Sequence, residues 1–470
     1  MFMTSAQKMI ARLNPSRSIS AKIATGSLVL CSAFATAVCD ASDATTVAAS
    51  GAPQNATGQD ESTVWPQWRG PSQQGVSPEG TLPKKWNEES SSRVEIPGSG
   101  GSTPVVVGDT AFLTSGVEGK NVLFAIDVNE PRIVWQVPMG TDRGNKHRKG
   151  SGSNPSPVTD GEHVVAYFRS GDLSCVNLSG EVLWTHNLQD EFGEDSLWWD
   201  LGSSPLLVES MVVIPVMQTG PSYLVAFDIS TGEMKWKTDR MTDAPEEAAQ
   251  SYTTPVAIEV NGRPAVAVMG ADHLTINDAT DGKEIGRLGG FNPEGQKFFR
   301  SIASPVAEGN LVFCPYSRGA TLTAVDIEKL VAGEGKDAIV WFRDDIGSDV
   351  PTPAVRDGVL YVVSDAKHDK GTVYALAAKS GETLWSLRLP RSRRSYSSSP
   401  LISGDHLYVT GENGHTSVIG PLGGADDSAA PPVLATNEVA DDEDYTVASP
   451  VDLGDRLGLR TKNFLYIIGN

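Results

Sequence analysis

The chain has 470 residues, and a composition of 39% hydrophobic and 20% charged residues can bury a core, while 47 glycines and 29 prolines punctuate it heavily. With 58 acidic against 38 basic residues, the formal net charge of -20 repels phosphate backbones and excludes general nucleic-acid binding. Four cysteines (Cys31, Cys39, Cys175, Cys314) with no C-x-x-C pair exclude a disulfide-built scaffold and a thiolate metal site.

At the N-terminus, Lys8, Arg12, Arg17 and Lys22 precede an uncharged run from Ile23 to Val38, with no acidic residue before Asp40. That is the pattern of a secretory signal, and Ala35-Thr36-Ala37 matches the A-x-A cleavage motif. The run falls short of the roughly 20 predominantly apolar residues of a membrane span. Val38 is not the small residue that lipidation at Cys39 would need. Residues 1–37 therefore read as a signal peptide, 38–64 as a polar flexible spacer, and 65–470 as one folded body. The mature chain is expected to be periplasmic or extracellular, monomeric and without a membrane span.

From residue 102 onward a Ser/Thr-rich approach to Pro, a Gly/Asp turn and a β-rich run recur eight times. The marker prolines are Pro104, Pro157, Pro205, Pro255, Pro305, Pro353, Pro400 and Pro450, spaced 47 to 53 residues apart. The second half of each unit repeats as an apolar strand, an Asp, a Thr/Ser-Gly-Glu turn and a Trp, as in Leu224 to Trp236. Four short β runs per unit predict a propeller blade, and eight units predict an eight-bladed, all-β propeller with four-stranded antiparallel blades. The eighth unit ends after three strands, so residues near 82–96, around Trp86, are expected to supply its outer strand and close the ring. The repeat tryptophans are expected to dock on the next blade. The fourth unit lacks its Trp, which predicts a less firmly pinned rim there. Asp127, Asp228 and Asp326 are expected to accept turn hydrogen bonds and not to be catalytic.

The motif Ala226-Phe227-Asp228, Thr231-Gly232-Glu233 and Trp236 resembles the repeat of PQQ-type, quinoprotein-like β-propellers, over roughly residues 65 to 470. The resemblance implies a fold shared by two functional branches. One comprises dehydrogenases that oxidise alcohols or sugars with pyrroloquinoline quinone (PQQ) and calcium; the other is non-enzymatic and is exemplified by BamB of outer-membrane protein assembly. The adjacent cysteines found in many of the dehydrogenases are absent, as is a C-x-x-C-H haem attachment sequence, and no catalytic residue is carried over.

In a propeller the loops before each innermost strand form the usual binding face, so candidates lie upstream of the marker prolines. A basic cluster of Arg143, Lys146, His147, Arg148 and Lys149 precedes Pro157, and the Trp198-Trp199 pair precedes Pro205 outside the repeat's own Trp register. Arg240 and Tyr252 precede Pro255, Arg300 precedes Pro305, Asp349 precedes Pro353, and Arg394 and Tyr396 precede Pro400. The binding set is thus His147, Arg148, Trp198, Trp199, Arg240, Tyr252, Arg300, Asp349, Arg394 and Tyr396. Arginines converging on one mouth would clamp acidic groups, and exposed aromatics suit a sugar ring or an apolar anchor of a partner. The acidic run Asp441 to Asp444 lacks calcium-loop spacing, and no H-E-x-x-H motif occurs, so no metal is expected. These features predict a non-enzymatic binding or scaffold propeller that recognises a protein of the envelope, or another ligand, at its mouth or rim. The alternatives are a PQQ-dependent dehydrogenase with calcium and a non-standard pocket, and a carbohydrate-binding propeller whose partner is a glycan.

Overall fold

A computed structural model describes residues 65–78, 80–439 and 444–469. The signal and spacer segments, and Asp441 to Glu443, lie outside the described residues. The described chain forms eight four-stranded antiparallel sheets, seven of them built in sequence order from inner to outer strand. Blade 3 shows the pattern: Leu206–Val208, Met211–Val216, Tyr223–Asp228 and Met234–Asp239. Its first three strands are almost wholly buried because they pack against a blade on either side, and the outer strand is half-exposed.

The last blade combines Val451–Asp452, Leu457–Arg460 and Phe464–Ile468 with Ser91–Glu95, which pairs antiparallel with Phe464–Ile468. The ring therefore closes through the N-terminal strand, as the incomplete eighth unit predicts. Trp86 precedes that strand and does not sit in it; its backbone N–H donates to Asn437 of blade 7 at 3.1 Å.

Between blades, the repeat tryptophans act as pegs. The indole N–H groups of Trp135, Trp184, Trp236 and Trp341 donate to backbone carbonyls of Leu178, Ile229, Ala279 and Ala378 in the following blade, at 2.7–3.0 Å. Each ring lies over the turn glycine of that blade. Gly232 has φ +72° and would bring a Cβ within 2.6 Å of Trp184, so both its left-handed backbone and its neighbour require glycine. Blade 4 lacks the Trp, yet its rim is pinned, contrary to the sequence expectation. Blade 5 replaces the Thr-Gly turn with a short helix, Ile327–Val331, capped by Asp326, which accepts from the Lys329 N–H. Leu330 and Val331 of that helix rest on Gly286 of blade 4 and fill the space the indole would take. Asp127 and Asp228 accept turn N–H groups as expected, and the Ser230 hydroxyl helps hold the Asp228 carboxyl down to about 2.

At the axis, the residue before each marker proline is Ser or Thr, and these eight residues form a closed belt. Each backbone N–H donates to the hydroxyl of the next blade's equivalent: Thr103 to Ser156, Ser156 to Ser204, Ser204 to Thr254, Thr254 to Ser304 and Ser304 to Thr352, at 2.8–2.9 Å. Thr352 donates to Ser399 at 3.0 Å, Ser399 to Ser449 at 3.2 Å, and Ser449 back to Thr103 at 3.0 Å. All eight are buried.

Beyond the belt, the segment from Trp65 to Ser77 crosses the channel as a strap. It meets the second residue after each marker proline in blade order. Trp65 pairs with Val106, the Pro66 carbonyl accepts from Thr159, and the Gln67 side chain accepts from Leu207. The Gln73 side chain accepts from Ala257, and Gln74 donates to Ala307 and accepts from Val355. Gly75 accepts from Ile402, and Ser77 donates to Asp452. Arg69, fully buried, donates to the carbonyls of Pro353 at 2.5 Å and Pro400 at 2.8 Å. Gly75 leaves room for its guanidinium, since a Cβ there would lie 2.4 Å from it.

Two substitutions test this architecture. Ser304→Ala leaves the buried Thr254 N–H without its acceptor and is expected to cost about 1–3 kcal/mol in urea unfolding. Trp236→Ala removes a buried peg and is expected to cost about 3–5 kcal/mol by the same measurement.

Candidate functional site

The belt and the strap convert the central channel into a pit. Trp68, the strap residue that reaches the axis, forms its floor, the eight belt hydroxyls encircle it, and the loops upstream of the belt form its walls. The cavity measures about 560 Å³, within the range of small-molecule sites.

The pit gathers six of the ten residues expected from sequence: His147, Trp199, Tyr252, Arg300, Asp349 and Tyr396. Arg300 holds Asp349 through two parallel hydrogen bonds of 2.9 Å. The His147 and Trp199 rings meet edge-on with centroids 5.7 Å apart, and the Trp199 indole donates to Glu247 at 2.8 Å. Asp200 anchors the basic loop by accepting from the N–H groups of Lys146 and His147 and from Arg169. Tyr252 donates from its hydroxyl to Gln250, and burial pushes its phenol well above the usual tyrosine range.

The other four stand elsewhere. Arg240 is 2% exposed and clamps the neighbouring hairpin, donating to the carbonyls of Val268, Gly270 and His273 and to Thr275. Burial lowers its guanidinium to about 10, and its role in this geometry is structural. Arg148 and Arg394 are exposed and do not line the pit. Trp198 is 47% exposed and stands outside the pit, with its ring 6.5 Å from that of Phe298, which is also exposed.

Several lining residues escaped the sequence reading. Lys149, noted only as part of a basic cluster, bonds Glu412 of blade 7 at 2.5 Å across the mouth, and Ser397 donates to the same carboxylate at 2.6 Å. No sequence signal marked Glu412. Asp365 accepts from the N–H groups of Asp349 and Val350 at 2.8 and 3.1 Å, and burial raises its carboxyl to about 6. Arg318 projects from a turn in which Ser317, Arg318 and Gly319 all have positive φ (54°, 56° and 78°). Gly319 packs so closely on the Asp349 backbone that a Cβ would lie 2.6 Å from its nitrogen. Strain of this kind concentrates at functional sites. The belt hydroxyls were visible as the recurring Ser/Thr-Pro step, but periodicity alone did not give them a role, and Trp68 lies in a W-P-Q-W-R-G segment outside the repeat.

The family model described as outer membrane protein assembly factor BamB matches residues 83–242 and 328–425, more than half of the chain. The chain belongs to this family of PQQ-repeat propellers. No curated protein sequence matches it. Among solved structures, BamB from Moraxella catarrhalis is similar over 80% of this chain and 98% of its own, with 14% identity and a TM-score of 0.56. A europium-containing methanol dehydrogenase is similar over 85% of this chain and 89% of its own, with 11% identity and a TM-score of 0.64. A quinohemoprotein alcohol dehydrogenase from Comamonas testosteroni is similar over 87% and 80%, with 12% identity and a TM-score of 0.60. At such identities the likeness is one of fold.

The quinone and calcium of the dehydrogenase branch fit the pit poorly. Trp68 offers a flat floor, but Asp349 and Glu412 are already neutralised by Arg300 and Lys149, and Asp365 is held by backbone N–H groups. Among the described residues no three His, Cys, Asp or Glu side chains stand close enough to share a metal ion. No catalytic step is therefore derived through that pair. Cys175 and Cys314 are buried in separate blades with thiols pushed up by burial, Cys175 to about 12.

Carboxyl NMR provides a direct check on the electrostatics of the pit. The Asp365 resonance is expected to titrate with a midpoint near 6, against an ordinary aspartate value near 4. A folded-state value raised in this way favours the folded state below the unfolded value, and that contribution is lost as pH rises through 6.

Proposed function

We propose that this propeller is a non-catalytic recognition module that binds a hydroxyl-rich, sugar-sized group in its mouth pit. The observation that carries the reading is a blind pit of about 560 Å³ with an indole floor and a ring of hydroxyls. A sugar ring stacks its apolar face on an aromatic surface and uses its hydroxyls as both donors and acceptors. The paired Arg300–Asp349 and Lys149–Glu412 groups supply both in fixed positions, without a net charge that a neutral ligand would have to offset. The ligand in this reading is the end of a glycan. The N-terminal signal pattern supports a place outside the cytoplasm, where glycans are displayed.

A second reading rests on the rim. Trp198, Trp199 and Phe298 are 47%, 41% and 54% exposed, and large aromatic side chains on a surface are the usual anchors of protein partners. This supports recognition of an envelope protein by the same face, as a scaffold does, with the pit taking a projecting group of that partner.

The test is calorimetric titration of the purified protein with a panel of neutral and acidic mono- and oligosaccharides, with Trp68→Ala alongside. At least one saccharide is expected to bind, with affinity falling more than about 10-fold in Trp68→Ala. Addition of PQQ and calcium is expected to give neither a thermal shift nor dye-linked oxidation of alcohols and sugars. Saccharide binding unaffected by Trp68→Ala would remove the pit from the reading, and quinone-dependent turnover would replace it with a dehydrogenase.

A further inference from the structure

At the seam between blades 8 and 1, beside the pit, Arg460 is buried with only 1% exposure and has no carboxylate partner among the described residues. It donates to the carbonyl of Ser102 at 3.1 Å and to the Ser102 hydroxyl. Its Nε and its second terminal nitrogen are buried without a hydrogen-bond partner. The other two fully buried arginines are better satisfied: every guanidinium nitrogen of Arg240 is bonded, and Arg69 lacks a partner only at Nε. Arg460 thus carries the largest unmet donor capacity of the three.

The unpartnered nitrogen lies over Gly100, where a Cβ would come within 2.4 Å, and both residues line a small chamber of about 10 Å³. That volume admits one water-sized body. Lys462 and Lys149, the latter paired with Glu412, also line the chamber, and no carboxylate does so among the described residues. Water could satisfy a donor but not a buried positive charge. Removing a guanidinium from solvent without a counter-charge is costly, and burial alone depresses Arg460 to about 9.

We propose that this chamber is a binding site for a single monatomic anion, chloride under physiological conditions, held by the two free donors of Arg460 with Lys462 close by. The occupant supplies the charge that the described lining of the chamber omits and ties blade 8 to the 99–102 segment leading into blade 1. The chamber shares Gly101, Lys149, Gly150, Asn154 and Val447 with the wall of the pit, so the ion sits behind that wall and not in the ligand's place. This inference does not depend on the glycan reading.

The test compares the protein in sodium chloride and sodium gluconate at equal ionic strength. The melting temperature is expected to show a saturable chloride-dependent rise on the order of 1–3 °C, and the chloride-35 NMR line to broaden and to sharpen again on adding bromide. Arg460→Met is expected to abolish both effects. Crystals soaked in bromide are expected to show anomalous density at the Arg460 guanidinium, a readout that stands even if the variant fails to fold. Identical melting with an unbroadened line, broadening that persists in Arg460→Met, or no anomalous peak at Arg460 would each overturn the site.

Discussion

The belt of eight hydroxyls at the axis is the constraint on which the rest of this structure depends. Each member is both the acceptor for one blade and, through its own N–H, the donor to the next, so every blade's position is referred to its neighbour within a hydrogen-bond length. Because the series returns from Ser449 to Thr103, a displacement of any one blade must be shared round the ring or must open a buried pair. The prolines that follow remove a backbone donor just where the inner strand begins, and they bias the preceding Ser or Thr towards extended backbone. The Ser/Thr-Pro step therefore serves several ends at once: it starts the strand, ties the blades and presents a ring of oxygen atoms to the axis.

The strap depends on that regularity. A peptide of thirteen residues can touch eight blades in turn only because equivalent positions are set at regular angles about one axis. With the axis filled on one side by Trp65 to Ser77, the other side becomes a vessel with a floor, and the loop residues need only shape its walls. Ion pairs do that shaping here. The Arg300–Asp349 and Lys149–Glu412 pairs fix long side chains that would otherwise occupy the cavity in many conformations.

The fold was legible because it is written eight times. The marker prolines gave the blade count, the turn glycines and tryptophans gave the inter-blade packing, and the missing strand of the last unit pointed to ring closure. Blade 4 shows where such reading stops: the loss of Trp was visible, but its replacement by Leu330 and Val331 from a non-repeating helix was not. The site was legible in part for the same reason. Position before a marker proline brought Tyr252, Arg300, Asp349 and Tyr396 into view, yet the same rule included Arg240, whose side chain turns away from the axis into a hairpin. Glu412 lies in the hairpin between the two middle strands of blade 7, 263 residues from Lys149, and only the closure of the ring makes them partners. Trp68 carried no periodic signal because it belongs to the one segment that is not repeated.

The strap also imposes an order on the life of the chain. Its residues are the first of the folded body to leave the ribosome, but its final seat, Asp452, is among the last. Until the eighth blade exists, Ser77 has no seat at Asp452, and the belt is an open arc. The ring therefore locks only when its last blade is made, like a drawstring threaded at the start and tightened at the end. A chain that stops before its final strands loses the anchorage of its first ones together with the last blade.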